Sequence, residues 1–324
     1  MSVDPEVQNI ATTFDKAKLR AYVKLAKFDI KDYYFGLLVV LSLLPAGERS
    51  DPRSLLTLAV FLVHEICVVA ACVSFDDVTG WGDGSDATNY GSDAPARRLA
   101  RKPLLTGALT PREATRFGWL ALAGAIVSLG AVVAIAPHRS PAAIVITTLT
   151  MVFFVQWSWG LKLSYHLMGE VLLVGLGVGW VLGPEGLLTG RFQELAIVDS
   201  VLFGLGPLLF GVFGNTNDIE GDAKANRRTV ASTFSARTNR IFIVGLSALE
   251  ALLILGAAVT RVAPWWFPLA MLPAFGMRVH QLVTGVKRGD TLAARKIGIK
   301  THRLATALLI LVNLLIPVVG GTIK

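Results

Sequence analysis

Nine apolar stretches constrain this chain more than any other feature, near residues 33–47, 54–75, 117–136, 141–159, 168–184, 196–217, 241–260, 264–277 and 304–320. Crossing the hydrocarbon core of a bilayer takes about 20 residues of helix. The lipid-exposed surface of such a helix tolerates almost no charge. The stretches therefore predict an all-α membrane protein, a bundle of nine transmembrane helices in one domain over residues 1–324. The first and eighth stretches are short and must borrow flanking residues. Composition agrees, because only 17% of residues are charged where a soluble domain carries about 25%.

The net charge of +8 raises the question of nucleic acid, and its placement answers it. With a cytoplasmic N-terminus, 25 of the 31 Lys and Arg fall on the inner side, leaving Arg49, Arg53, Arg139, Arg191, Arg261 and Lys324 outside. That asymmetry is the positive-inside pattern of multi-pass integral membrane proteins. The basic charge faces the cytoplasm and the membrane lipid headgroups, and no nucleic acid is expected as a partner. The N-terminal segment is polar and lacks the features of a secretory signal, so the first span is expected to direct insertion. Residues 16–32 mix lysines with Leu19, Tyr22, Val23, Leu25 and Phe28, an amphipathic lead-in suited to the inner interface. Cys67 and Cys72 share one apolar run, which excludes a disulfide framework or a zinc site.

Local signals sharpen the elements. Thr110-Pro111-Arg112-Glu113 reads as a capping box with proline at the first helical position, and Ser140-Pro141 starts the next helix in the same way. Gly175 and Gly179 are spaced for close helix contact, and Pro207 is expected to kink its span. The long loops lie on the inner side, so the active site is expected to face the cytoplasm.

Two acidic clusters end apolar stretches on that side. The first holds Asp76, Asp77, Asp83 and Asp86; the second holds Asn215, Asp218, Glu220 and Asp222. A helix C-terminus already carries about half a negative charge, so carboxylates gathered there repel it and one another. A hard divalent cation removes the conflict. Magnesium takes oxygen ligands from one or two carboxylates and fills its shell with water and substrate phosphates. The spacing of Asp218 and Asp222, with Asn215 a turn earlier, puts them on one helical face. Basic runs follow both clusters, Arg97, Arg98, Arg101 and Lys102 after the first and Lys224, Arg227 and Arg228 after the second, while Lys162 stands alone in its short loop. Such cations beside carboxylates suit a phosphate-bearing ligand bridged by metal.

These motifs resemble the UbiA superfamily of intramembrane prenyltransferases, and within it the branch that prenylates dihydroxynaphthoate. The family's first motif, N-D-x-x-D-x-x-x-G-x-D in that branch, runs here from Asp76-Asp77 through Gly84-Ser85-Asp86. Arg98 and Lys102-Pro103-Leu104 with Gly107 match its R-x-x-x-R-P-L-x-x-G, Gly160-Leu161-Lys162 with Tyr165 and Gly169-Glu170 its third loop, and Asn215 with Asp218 through Asp222, Arg227 and Thr229 its second acidic motif. Asp76 stands where the family has asparagine, Gly80 where it has its second aspartate, and Asn217 where the naphthoate branch has arginine. Asp83 is expected to restore the carboxylate missing at Gly80.

The resemblance implies a magnesium-dependent transfer of a prenyl group from a prenyl diphosphate to a small-molecule acceptor. Asp76, Asp77, Asp83, Asp86, Asp218 and Asp222 would hold metal. Asn215, Arg98, Lys102, Lys162, Arg227 and Arg228 would hold diphosphate, and Asp77, Asp218 and Lys162 would carry the chemistry. Glu65 joins them on physical grounds, since a mid-membrane carboxylate should face inward and be partnered. Phe153, Phe154, Trp157, Trp159 and Trp180 are candidates to line the cavity and steady a cation. A terpene cyclase would use the same ionisation with an internal alkene as nucleophile. A transporter would carry its charges deeper and on both sides, and the contiguous D-G-x-x-A-R of a phosphatidyltransferase is missing.

Overall fold

The computed structural model describes residues 16–28, 30–90, 99 and 101–319, and the regular elements among them are helices, apart from one isolated bridge between His166 and Arg228. In chain order these are α1 (Lys16–Leu25), α2 (Gly36–Leu43), α3 (Pro52–Gly82), α4 (Ser85–Asn89), α5 (Pro111–Ile135), α6 (Pro141–Val155), α7 (Gly169–Thr189), α8 (Glu194–Asn217), α9 (Ile219–Lys224), α10 (Ala236–Val259), α11 (Leu272–Leu282) and α12 (Thr291–Leu315), with a few shorter turns between them.

Six of these, α3, α5, α7, α8, α10 and α12, are long and apolar enough to cross a membrane. The other three apolar stretches yield shorter helices. α6 has 15 residues, α2 has 8 and is entered through the 3-10 turn Lys31–Phe35, and α11 has 11 and runs into a π-turn, Val283–Lys287. The start signals operate as read from the sequence. Thr110 and Glu113 form the capping box at α5, and Ser140 accepts from the Ala143 N–H at α6. α8 continues through Pro207 as one element.

Burial sorts the helices into centre and rim. The apolar windows of α7 and α8 are 67% and 72% buried, against 28% and 22% for α5 and α10, so α7 and α8 form the middle and α5 and α10 face outward. What lets the central pair meet is Gly177 against Gly204, where an added Cβ would lie 2.2 Å from the facing Cα. Gly179 is equally tight against Thr150, whereas a side chain at Gly175 would meet nothing within 4 Å. Two residues along a helix rotate a position by about 200°, which carries Gly175 away from the contact that Gly177 makes. α1 packs Ala21 and Leu25 onto Leu104, Leu109 and Ala114 and stacks Tyr22 near Phe117, leaving Leu19, Val23 and Phe28 exposed.

Candidate active site

The first acidic cluster is placed by the length of α3. Asp51 caps its start through the Ser54 N–H at 2.8 Å, and its 31 residues carry it past the apolar stretch to Gly82. Gly84, at φ 77, then turns the chain into α4. Asp76 and Gly80 are one turn apart and share a face. Asp77 is rotated about 100° from Asp76 and meets two lysines at 2.8 Å, Lys27 from the end of α1 and Lys102 from the loop after α4. Lys102 also reaches Asp86 at 2.8 Å. Gly80 explains where Asp86 sits: a Cβ there would lie 2.9 Å from the Asp86 Cγ. The Asp86 carboxyl thus fills the space that a side chain at position 80 would take. Ser158 donates to Asp76 at 2.5 Å, and Tyr165 donates to Asp83 at 2.5 Å.

The second cluster sits on a broken helix. α8 ends at Asn217 and α9 begins at Ile219, but hydrogen bonds from Asp218 N to Gly214 O (3.0 Å) and from Asp222 N to Asp218 O (2.9 Å) keep the four-residue spacing through the break. Gly221 lets α9 close on Asn89 of α4, which draws the two motifs together. Glu170 accepts from the Asn215 side chain and from the Val230 N–H, both at 3.1 Å. Arg227 donates to Ser164 at 2.9 Å, lies 3.8 Å from Asp76, and covers the Tyr165 ring at 5.3 Å.

Between the clusters lies a polar cavity of about 140 Å³, walled by Asp76, Asp86, Asp218 and Asp222, by Lys102 and Arg227, and by Gly80, Ser85, Asn89, Tyr90 and Asn215. Burial pushes the Asp86 carboxyl up to about 6, although Lys102 opposes it, and pushes Asp222 up to about 7 against Arg227. Lys102 is held above the ordinary lysine range: burial disfavours its charge, but Asp77, Asp86 and Asp76 outweigh it. Tyr165 is raised by burial and by its hydrogen bond to Asp83. The metal question turns on donor chemistry. The acidic side chains on the wall are all carboxylates, with no thiol or imidazole among them, which suits a hard divalent cation. Among the described residues no three such groups converge as a ready-made cage. Magnesium does not need one, because substrate phosphates and water complete its shell.

The residues singled out from sequence divide accordingly. Asp76, Asp86, Asp218, Asp222, Asn215, Lys102 and Arg227 reach the cavity wall, and Asp77 and Asp83 are engaged behind it. Lys162 is exposed, in the left-handed region at φ 47, with its ammonium 5.2 Å above the Tyr165 ring. Arg228 contributes backbone, pairing with Tyr165 and Leu167, while its side chain is exposed. Arg98 lies outside the described residues. Glu65 is fully buried, and among the described residues neither its carboxylate oxygens nor the buried Tyr34 hydroxyl has a hydrogen-bond partner. Among the aromatics Trp180 and Phe154 are buried and Trp159 stacks on Phe75, but Phe153 is 44% exposed. Lys27, Ser158, Ser164, Asn89 and Tyr90 were not legible as site residues. Lys27 carried a signal only as one lysine in an amphipathic run, and the others carried none.

A helical bundle with long apolar elements and a carboxylate-walled mouth defines an integral membrane protein whose polar site lies at one end of its spans. The sequence over residues 34–304 matches the UbiA prenyltransferase family, and the chain belongs to that family of prenyl-transferring enzymes. No curated protein matches it. Among solved structures it is similar to a digeranylgeranylglyceryl phosphate synthase, with a TM-score of 0.64, 15% identity, and coverage of 92% of this chain and 99% of that one. A UbiA homologue from Archaeoglobus fulgidus bound to GPP and Mg2+ gives 0.60 and 13%, covering 89% and 99%. An apo UbiA homologue from Aeropyrum pernix K1 gives 0.61 and 12%, covering 90% and 98%.

Proposed function

We propose that the chain transfers a prenyl group from an allylic prenyl diphosphate to a small-molecule acceptor, with magnesium bound at the mouth of the bundle. One observation carries this reading. Motifs roughly 140 residues apart in sequence place four carboxylates, two amides and two cations around one polar cavity at the end of apolar helices. The likeness to a homologue crystallised with a prenyl diphosphate and Mg2+ supports it. Asp76, Asp86, Asp218 and Asp222 would hold the metal, which when bound supplies positive charge to the diphosphate leaving group. Lys102 and Arg227 donate to the phosphate oxygens and stabilise charge as the bond to the prenyl carbon breaks. Asn215, held by Glu170, orients the same group. Asp77 fixes Lys27 and Lys102 in place, and Asp83 fixes Tyr165 beneath Arg227 and Lys162. Apolar helices below the mouth exclude water from the allylic cation. The chain crosses the membrane nine times in this reading, with the shorter helices completing the six long ones, and its N-terminus and mouth face the cytoplasm.

Glu65 favours a second reading. It precedes Asp76 by eleven residues on nearly the same face, roughly 16 Å deeper at about 1.5 Å per residue. A carboxylate so far from the diphosphate meets the interior of a prenyl chain, not the carbon that is transferred. That position suits a base or a charge partner for a cation migrating along the chain, as a terpene cyclase requires.

The deciding experiment incubates purified protein with magnesium and prenyl diphosphates of several lengths, without acceptor. A transferase turns over only when an acceptor is added, and a cyclase releases cyclised hydrocarbon alone. Undiminished turnover after exhaustive chelation overturns both readings.

A further inference from the structure

A second cavity lies on the outside of the bundle. α10 and the π-turn Val283–Lys287 enclose an open groove of about 540 Å³, walled by Ile241, Val244, Gly245 and Val286 and bordered by Arg237 and Arg240. Ile241 and Val244 are exposed, and α10 is the least buried of the long helices, so the groove opens toward the surrounding membrane. Its basic end lies at the same end of the bundle as the acidic mouth, because Asn239, between the two arginines, donates to Thr216 at 3.0 Å.

The two arginines are oddly placed for a purely structural role. They occupy the first turns of α10, where the helix dipole disfavours cations, and neither meets a carboxylate among the described residues. Lys287 and Arg288 are exposed at the end of the adjoining turn. The acid nearest in sequence, Asp290, is engaged in capping α12 through the Ala293 N–H at 2.8 Å.

We infer that this groove binds one anionic phospholipid, its acyl chain along Ile241, Val244, Gly245 and Val286 and its headgroup phosphate against Arg237 and Arg240. Charge complementarity selects the occupant. Guanidinium pairs with phosphate in a fork geometry, and basic pockets between membrane helices hold anionic headgroups. A zwitterionic lipid brings its own ammonium to a basic rim. A second copy of the chain in a two-fold contact would set the same arginines against each other. A free anion would engage the basic rim and make no use of the apolar wall. The occupied groove would also brace the site, since Gly285 of the turn closes on Phe213 of α8, two residues before Asn215.

Gly245 supplies a clean test, because an added Cβ there meets nothing within 4 Å. Gly245→Leu should fill the groove without moving its neighbours. Full-length protein in neutral detergent is titrated with phosphatidylglycerol or phosphatidylcholine, followed by unfolding temperature and by native mass spectrometry of bound lipid. The wild type should retain one phosphatidylglycerol and gain stability from it, and gain less from phosphatidylcholine. Arg237→Gln and Arg240→Gln should each weaken phosphatidylglycerol binding about fivefold. Gly245→Leu should abolish the selective shift while keeping the lipid-free unfolding temperature of the wild type. Should an arginine variant fail to fold, Gly245→Leu still decides the matter. Equal shifts from the two lipids, or a selective shift that survives Gly245→Leu, overturns the site. So does a wild-type dimer that Gly245→Leu converts to monomer, which would assign the groove to a second copy.

Discussion

The mouth of the bundle and its middle treat buried polar groups in opposite ways. At the mouth each carboxylate of the first motif has a cation or a donor: Asp77 has Lys27 and Lys102, Asp86 has Lys102, Asp76 has Ser158, and Asp83 has Tyr165. Midway down, both oxygens of Glu65, the Tyr34 hydroxyl, the His64 Nε2 and the Trp180 Nε1 are buried with no hydrogen-bond partner among the described residues. The mouth is therefore assembled in advance, its ammonium and guanidinium groups waiting for a polyanion. The middle instead presents polar atoms that the described side chains and backbone do not engage, and that a bound molecule can meet.

The contrast can be broken most severely at the metal. Asp76→Ala or Asp218→Ala should lower turnover by about 10³-fold, since electrostatic stabilisation of the leaving group usually contributes more to the rate than any other effect, with the fold retained by circular dichroism. Activity within a few-fold of wild type in both would remove the mouth from the reaction. Next is the preassembly itself. Lys102→Met strands Asp86 and leaves Asp77 with Lys27 alone, and breaking a buried pair of this kind costs about 3–5 kcal/mol. An unchanged unfolding midpoint in detergent would mean that these contacts do not hold the mouth.

The middle is probed by Glu65→Gln, which keeps shape and removes the base. A drop of roughly 10²-fold in turnover, or a changed product, is expected without loss of stability; the same product at the same rate would leave Glu65 no chemical role. A smaller effect follows from pH. Asp86 at about 6 and Asp222 at about 7 lie above the ordinary aspartate range. Both hold protons more tightly folded than unfolded, so the metal-free protein loses stability as pH rises from the ordinary 3.8 through about 6 and 7, and metal must displace those protons. Magnesium binding, measured by calorimetry, should tighten about tenfold per pH unit for each proton displaced below pH 7. Smallest is Asp83→Asn, expected to change the rate by about twofold at most, because Asp83 is occupied by Tyr165. A loss comparable to that of Asp76→Ala would make Asp83 the replacement for the carboxylate missing at Gly80.

Much of the architecture is legible in the sequence. Apolar runs and capping signals locate the long helices, and the acidic motifs locate the mouth. The direction of a side chain around α3 is not legible. Asp76 and Asp77 are adjacent in sequence and identical in chemistry, and only the positions of Lys27 and Lys102 show that one faces the cavity and the other turns away. Lys27 is fifty residues from its partner, and no local pattern encodes such a pairing. Nor does helical spacing reveal the break at Asp218, because hydrogen bonds across it keep the four-residue separation that an unbroken helix would have. The middle is half legible. The cost of a carboxylate in the bilayer predicts that Glu65 faces inward, but not that no side chain among the described residues hydrogen-bonds to it.

The glycine at position 80 also constrains how this lineage can change. An aspartate restored there would meet the Asp86 carboxyl at about the distance where atoms collide, and Asp86 cannot simply swing aside while Lys102 holds it at 2.8 Å. In this chain an aspartate at position 80 would therefore need the Asp86 carboxyl to take another position, away from Lys102. Substitutions at positions 80 and 86 are therefore expected to be non-additive, and directed evolution that treats the two sites as independent would misjudge which path is open.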